Sequence, residues 1–187
     1  MTRKTVGSAL LSLGLLACPG WALAQATPTP TQGGPLGHVL CEVTENGSTA
    51  SGTMVLRRGA EQVASGSCGV ALDVPPGTYE AILRLDGALG EGEQARQVSV
   101  ERGATARVGV DFATAILEVR FTAEGRRAAG MAAIMSGGRQ IGALASGVSA
   151  HVSVGTYDIV ARYRNQERRF DGITLVRGER RSLSAEF

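Results

Sequence analysis

The chain has 187 residues, 43% hydrophobic and 19% charged, which excludes an intrinsically disordered chain and leaves room for one ordinary domain or two small ones. Lysine occurs once among 19 basic residues, at Lys4, so beyond that point Schiff-base chemistry and lysine-dependent cross-links are excluded. The 26 glycines and the 4% aromatic content, set among β-branched runs broken by turn residues, point to strands.

The N-terminus reads as an export signal over residues 1–26. Arg3 and Lys4 form a positive n-region, and Val6 to Ala17 is an apolar run too short to span a bilayer comfortably. Pro19-Gly20 breaks it, and Ala22-Leu23-Ala24 and Ala24-Gln25-Ala26 both offer a small-x-small cleavage site. The expected destination is extracytoplasmic, periplasmic or secreted. A rival reading stays open: Leu15-Leu16-Ala17-Cys18 resembles a bacterial lipobox, which would lipidate Cys18 and give the chain its membrane contact. Residues 27–37, rich in Thr, Pro and Gly, form an extended spacer.

The remainder is one unit used twice, over 38–113 and 114–187. Gly77-Thr78-Tyr79 recurs as Gly155-Thr156-Tyr157 at an offset of 78. The same offset relates Gly47 to Gly125, Gly52 to Gly130, Gly69-Val70 to Gly147-Val148, and Val74 to Val152. Past the central hairpin the offset becomes 75, relating Arg102-Gly103 to Arg177-Gly178 and Asp111-Phe112 to Glu186-Phe187. The second copy therefore has the shorter hairpin. An ordered series at one offset with one loop-sized gap identifies an internal duplication. It also settles Ala128 to Met135, helical by propensity, because its partner Ala50 to Arg57 reads as strand. Alternation at Tyr79, Ala81, Leu83 and Leu85, matched by Tyr157, Ile159, Ala161 and Tyr163, marks core faces. Each copy gives about six or seven short strands, as expected of an antiparallel sandwich.

Without Cys18, Cys41 and Cys68 remain, an even count in an oxidising compartment, and a disulfide is expected. Two buried free thiols are the alternative. A bridge closing 28 residues would stabilise by roughly 3–4 kcal/mol in the chain-entropy model. The second copy has Val119 and Ser146 at these positions and is expected to lean on the first. Tyr79 and Tyr157 are expected to fill a core edge while each hydroxyl finds a backbone partner.

The pattern Val-Pro-Pro-Gly-Thr-Tyr, a hairpin, a Val-x-Val strand, a glycine turn and a terminal alternating strand resembles the prealbumin-like modules: carboxypeptidase regulatory-like, Cna-B-type and PEGA-type domains of bacterial exported proteins. The resemblance covers about 39–112 and 117–187. It implies two tandem seven-stranded sandwiches, an all-β chain serving as spacer, scaffold or ligand-presenting unit without catalysis or cofactor.

Few residues suggest chemistry. His38 and His151 are lone histidines, expected to be solvated or hydrogen-bonded rather than metal ligands. Gly87 to Gly92 lies between paired strands, so it reads as a flexible hairpin tip and not a phosphate loop. Asp86, Glu91 and Glu93 near that tip match no calcium-loop spacing and read as a solvated acidic cluster. Charge is more informative. Residues 37–112 carry 6 Arg and 10 acids, a balance of −4, and residues 113–187 carry 11 Arg and 7 acids, a balance of +4. Arg162, Arg164, Arg168 and Arg169 flank one hairpin, with Arg162 and Arg164 on one strand face. Arg177, Arg180 and Arg181 gather at the next turn. Three readings compete: a solvated face with local ion pairs; pairing with the acidic first copy, within a chain or head-to-tail between chains; or recognition of an anionic envelope component such as acidic polysaccharide or lipid headgroups, or of a protein partner. Nucleic acid is excluded by compartment and by the scarcity of stacking aromatics. The reading favoured is a non-enzymatic extracytoplasmic binding or scaffold module. A lipid-anchored accessory subunit and a small secreted enzyme or inhibitor are the alternatives.

Overall fold

The computed structural model describes residues 35–90 and 92–187. The expected export segment, most of the expected spacer, Cys18 and Glu91 lie outside the described residues. Among the described residues the regular structure is all-β.

Residues up to Phe112 form β1 (Gly37–Glu45), β2 (Ser48–Thr49), β3 (Gly52–Arg58), β4 (Glu61–Ser67), β5 (Leu72–Val74), β6 (Gly77–Leu85), β7 (Glu93–Val100) and β8 (Thr105–Phe112). The following residues form β9 (Thr114–Ala123), β10 (Arg126–Arg127), β11 (Met131–Ser136), β12 (Arg139–Ala145), β13 (Ser149–Ser153), β14 (Gly155–Tyr163), β15 (Gln166–Leu175) and β16 (Arg180–Glu186). Strand order is β4-β3-β6-β7 in one sheet and β12-β11-β14-β15 in another. In the remaining two sheets β1 joins β2, β5 and β8, while β9 joins β10, β13 and β16.

Among the described residues the named strands pair antiparallel except β1–β8 and β9–β16, which are parallel. This departs from the wholly antiparallel arrangement expected. The physical reason lies in the crossing after β7 and after β15. Each leads into a different sheet, and the last strand arrives beside the first running the same way.

Register repeats along with strand order. Tyr79 faces Val98 as Tyr157 faces Ile173, and Cys41 lies beside Val108 as Val119 lies beside Leu183. A β-bulge falls at Leu56/Arg57 and again at Ile134/Met135, equivalent positions of the two copies. Ala128 to Met135 ends in a strand like its partner, so tertiary pairing overrides the helical propensity of alanine. The shorter second hairpin closes through Arg164-Asn165, with Tyr163 facing Gln166. In the first copy the strands part after Arg84↔Glu93 and carry a longer tip.

Two hydrophobic clusters result. One gathers Val39, Cys41, Met54, Leu56, Tyr79 and Leu83 with their neighbours, the other Leu117, Val119, Phe121, Ile134, Ile159 and Leu175 with theirs. The Tyr79 hydroxyl donates to the Pro75 carbonyl, and the Tyr157 hydroxyl to the Ser153 carbonyl at 2.8 Å. Gly52 and Gly130 show why glycine recurs at the head of β3 and just before β11. A Cβ at Gly52 would lie 2.5 Å from the Arg84 carbonyl oxygen and 2.8 Å from the Val43 side chain. At Gly130 it would lie 2.4 Å from the Phe121 ring. Neither space admits a methyl group.

Candidate functional site

The four arginines singled out by the sequence do not converge. Arg162 faces Glu167 across β14–β15, Nε to Oε2 3.0 Å. Arg164 is not on that strand: β14 ends at Tyr163, and Arg164 sits in the turn with φ 51° and its guanidinium 5.1 Å from the Tyr163 ring centroid. The expectation that Arg162 and Arg164 share a strand face is therefore corrected. Arg168 pairs with the core residue Ala161, donates from Nε to the Glu186 carbonyl at 2.9 Å, and lies over the Phe187 ring. Arg169 pairs with Val160 on the opposite side and reaches Asp171 at 3.5 Å. Alternation thus divides the neighbours Arg168 and Arg169 between two faces.

The remaining cationic group makes a different arrangement. The Arg177 guanidinium donates to Asp111, whose Oδ1 also accepts from the Gly47 amide and the Thr44 hydroxyl, both at 2.8 Å. The Gly47 amide, the Thr44 hydroxyl and Arg177 together hold the Asp111 carboxyl below its ordinary range, against a smaller opposing effect of burial. Nearby, His151 Nδ1 lies 2.5 Å from Glu45 Oε1, which also accepts from the buried Thr114 hydroxyl. Burial raises the Glu45 carboxyl, but the Thr114 hydroxyl and the His151 ring outweigh it, and the net shift is downward. Asn46 exchanges hydrogen bonds with the Thr114 backbone in both directions at 3.1 Å. The Arg177–Asp111, His151–Glu45, Thr114–Glu45 and Asn46–Thr114 contacts join the first copy to the second.

The glycine-rich tip belongs to the same junction. The Leu89 amide donates to the His151 carbonyl at 2.8 Å, and the Ser153 amide to the Leu89 carbonyl at 2.9 Å. The Leu89 side chain packs on the second cluster against Gly142. The expected flexible hairpin tip, Gly87 to Gly92, is thus held at Leu89 by hydrogen bonds and packing. Of the acids assigned to it, Glu93 pairs with Arg84, Asp86 is exposed, and Glu91 lies outside the described residues. His38 pairs with Asp73 at 2.6 Å. Among the described residues no group of three or more His, Cys, Asp or Glu is placed to hold a metal ion.

A surface groove is also duplicated, and sequence reasoning missed it. In the first copy it is lined by Cys41, Glu42, Val43, Thr49, Cys68 and Gly69 and holds about 230 Å³. The Cys41–Cys68 disulfide, Cα atoms 4.8 Å apart, forms part of its wall. In the second copy the equivalent positions are Val119, Arg120, Phe121, Arg127, Ser146 and Gly147; all but Val119 line a groove of about 660 Å³. Glu42 thus becomes Arg120 and Thr49 becomes Arg127. Arg120 forks onto Glu118, Nε to Oε1 2.7 Å and Nη2 to Oε2 3.1 Å. That hydrogen bond is the main reason the Glu118 carboxyl is held below its ordinary range, with the charges of Arg120, Arg180 and Arg127 adding to it and burial opposing. The Ser146 hydroxyl oxygen accepts from the Phe121 amide at 3.1 Å. Comparing unlike residues at offset 78, rather than identical ones, would have exposed the exchange.

No protein-family model matches the chain, and no curated protein matches it. Among solved structures, the Bacillus anthracis TIE protein aligns at 9% identity and a TM-score of 0.39, covering 82% of this chain and 34% of that one. A leucine-rich repeat protein from Bacteroides thetaiotaomicron aligns at 11% identity and a TM-score of 0.29, covering 81% of this chain and 26% of its own. The chain spans about a third and a quarter of these two proteins.

Proposed function

We propose that the chain is an exported, non-enzymatic scaffold and binding module of two tandem prealbumin-like β-sandwiches. Repetition of strand order, register, bulge and tyrosine hydrogen bond supports the two-sandwich reading. The disulfide agrees with an oxidising, extracytoplasmic compartment. The observation that carries the scaffold role is the junction. Backbone pairing through Leu89, the Glu45–His151–Thr114 cluster and the Asp111–Arg177 pair tie one copy to the other at several separate points. Polar groups that converge here serve to fix two units, and a spacer that presents a ligand or partner needs that stiffness more than it needs a cleft.

The test is ¹⁵N relaxation on the purified chain. Amides of β3 and β11 are expected to report one common tumbling time set by the whole folded mass. Two distinct correlation times would overturn the scaffold reading. A hydrolytic activity abolished by replacing one polar residue would overturn the non-enzymatic one.

A further inference from the structure

We propose that the larger groove of the second copy is a binding site for an acidic saccharide, and that the first copy holds its smaller counterpart. The proposal rests on reading the chain as a binding module, and names the ligand class that this module takes.

Three observations carry it. The groove is the same place in two copies of one unit, so each copy controls for the other. In the first copy the disulfide forms part of a small groove whose only ion-pairing side chain, Glu42, is bound to Arg107 at 2.7 Å. In the second, Val119 and Ser146 replace the bridge, the volume nearly triples to about 660 Å³, and two guanidinium groups enter the lining. That volume lies within the usual range for a small-ligand site.

Charge supplies the second observation. Around the groove stand Arg120, Arg127 and, beside Glu118, Arg180, against the single carboxylate of Glu118. Glu118 occupies the fork of Arg120. Among the described residues the side chains of Arg127 and Arg180 have no hydrogen-bond partner, and they act on Glu118 through charge alone. A ligand carboxylate meets a net positive site with an unused planar fork, the donor geometry that suits carboxylates.

The third observation separates a saccharide from a peptide. The rest of the lining is hydroxyl and small: Thr122, Ser146 and Ser184 beside Ala128 and Ala129. The Ser146 oxygen accepts from a backbone amide, which leaves its own hydrogen free to donate outward. The strap backbone is already used: the Gly147 amide donates to Val119 at 2.8 Å, the Ala128 amide to Phe121 at 2.9 Å, and the Ser146 amide to Gly130 at 3.0 Å. At these three strap positions the amides are therefore taken and do not pair an added peptide strand. Hydroxyl donors and acceptors alternating with guanidinium suit a polyhydroxylated ring that bears a carboxylate.

The experiment is calorimetric titration of the purified chain with trigalacturonate, with its neutral trisaccharide counterpart and with hexaglutamate. Native chain is expected to bind trigalacturonate in preference to both others. The double variant Arg120→Gln with Arg127→Gln is expected to bind roughly tenfold more weakly or worse, with an unchanged far-UV spectrum because Arg120 is exposed. The double variant Arg162→Gln with Arg169→Gln is expected to bind as the native chain does. Equal binding by the groove variant, equal binding of the neutral sugar, or no native binding at roughly millimolar ligand would overturn the site. Preference for hexaglutamate would overturn the saccharide assignment. A chain that tumbles as one body but ignores trigalacturonate loses this site and keeps the scaffold reading.

Discussion

The two copies close the same corner of the fold by different means. In the first, a covalent bridge joins Cys41 of β1 to Cys68 after β4. In the second, Phe121 fills the equivalent of Val43, stacks on Phe187 at 5.7 Å between ring centroids, and is flanked through Phe187 by Tyr163. Yet the backbone around the corner is the same. The Gly69 amide donates to Cys41 at 2.9 Å as Gly147 donates to Val119 at 2.8 Å. The Cys68 amide donates to Gly52 at 2.8 Å as Ser146 donates to Gly130 at 3.0 Å. The strap conformation therefore does not need the disulfide. The bridge is laid over a geometry that hydrogen bonding already specifies, and its effect falls chiefly on the unfolded chain.

Removing each corner's fastening should break the comparison most sharply. Phe121→Ala deletes a fully buried ring and leaves Phe187 without its stacking partner. A loss of about 3–5 kcal/mol is expected in urea unfolding, against about 2 kcal/mol for Val43→Ala in the first copy. Near-equal losses would mean that the aromatic cluster does not stand in for the bridge. Next comes Cys41→Ala with Cys68→Ala. Loss of the 28-residue closed loop, counted from a separation of 27, should cost about 3–4 kcal/mol. Hydrogen exchange at Gly69 should still report a bonded amide in the variant's folded state. An amide that exchanges freely there would mean that the bridge, not the backbone, builds the strap.

Gly130→Ala is a smaller break. The added methyl meets the Phe121 ring and lies 2.9 Å from the Arg162 carbonyl oxygen. Backbone cannot retreat as a flexible side chain would, and about 1–3 kcal/mol should be lost. Gly130→Ala combined with Phe121→Ala should lose less than the sum, because the second change vacates the space that the first one needs.

What the sequence made legible follows the same division between repeat and difference. The Gly-Thr-Tyr steps, the shift of offset from 78 to 75 and the alternating core faces were readable because a repeat tests each local reading twice. Alanine-rich Ala128 to Met135 was placed as strand only through its partner. Contacts between the copies were readable only as an opposite charge balance, which Arg177–Asp111 uses, and not residue by residue. Glu45 and His151 stand 106 residues apart, and no periodicity within one unit encodes how two units meet. The extra residues of the first hairpin tip registered as a loop-length difference, although that tip carries Leu89 into the second cluster. The faces of the basic hairpin were hidden for a related reason: pairing with Ala161 and Val160 sends Arg168 and Arg169 to opposite faces, and the turn withdraws Arg164 from the strand face of Arg162.

The junction can be sharpened by pH. Glu45 and Asp111 are held below their ordinary values of 4.5 and 3.8 in the folded chain. A carboxylate with a lowered folded pKa stabilises fully above its unfolded value, and that contribution fades as pH falls through the folded value. Stability should therefore be level down to about pH 5 and decline below it. Glu45→Gln should flatten part of that decline while lowering stability at neutral pH, since Thr114 and His151 lose a charged acceptor. An acid limb unchanged by Glu45→Gln would show that the junction carboxylates do not couple folding to pH.

The smallest effect belongs to the basic hairpin. Arg162 and Arg169 are more than half exposed, and each makes one surface ion pair, with Glu167 and Asp171. Exposed pairs contribute little, because solvent screens the attraction and ordering two long side chains offsets it. Arg162→Gln with Arg169→Gln should change stability by no more than about 0.5 kcal/mol. Arg168 differs from both, because its guanidinium is bound to the Glu186 carbonyl and covers the Phe187 ring. Arg168→Gln should cost more than the other two together and should loosen Phe187, measurable as broadening of that ring's NMR signals. If Arg168→Gln is as neutral as the exposed pair, the four arginines form one solvated group after all, and the second copy's corner rests on Phe121 and Tyr163 without help from its hairpin.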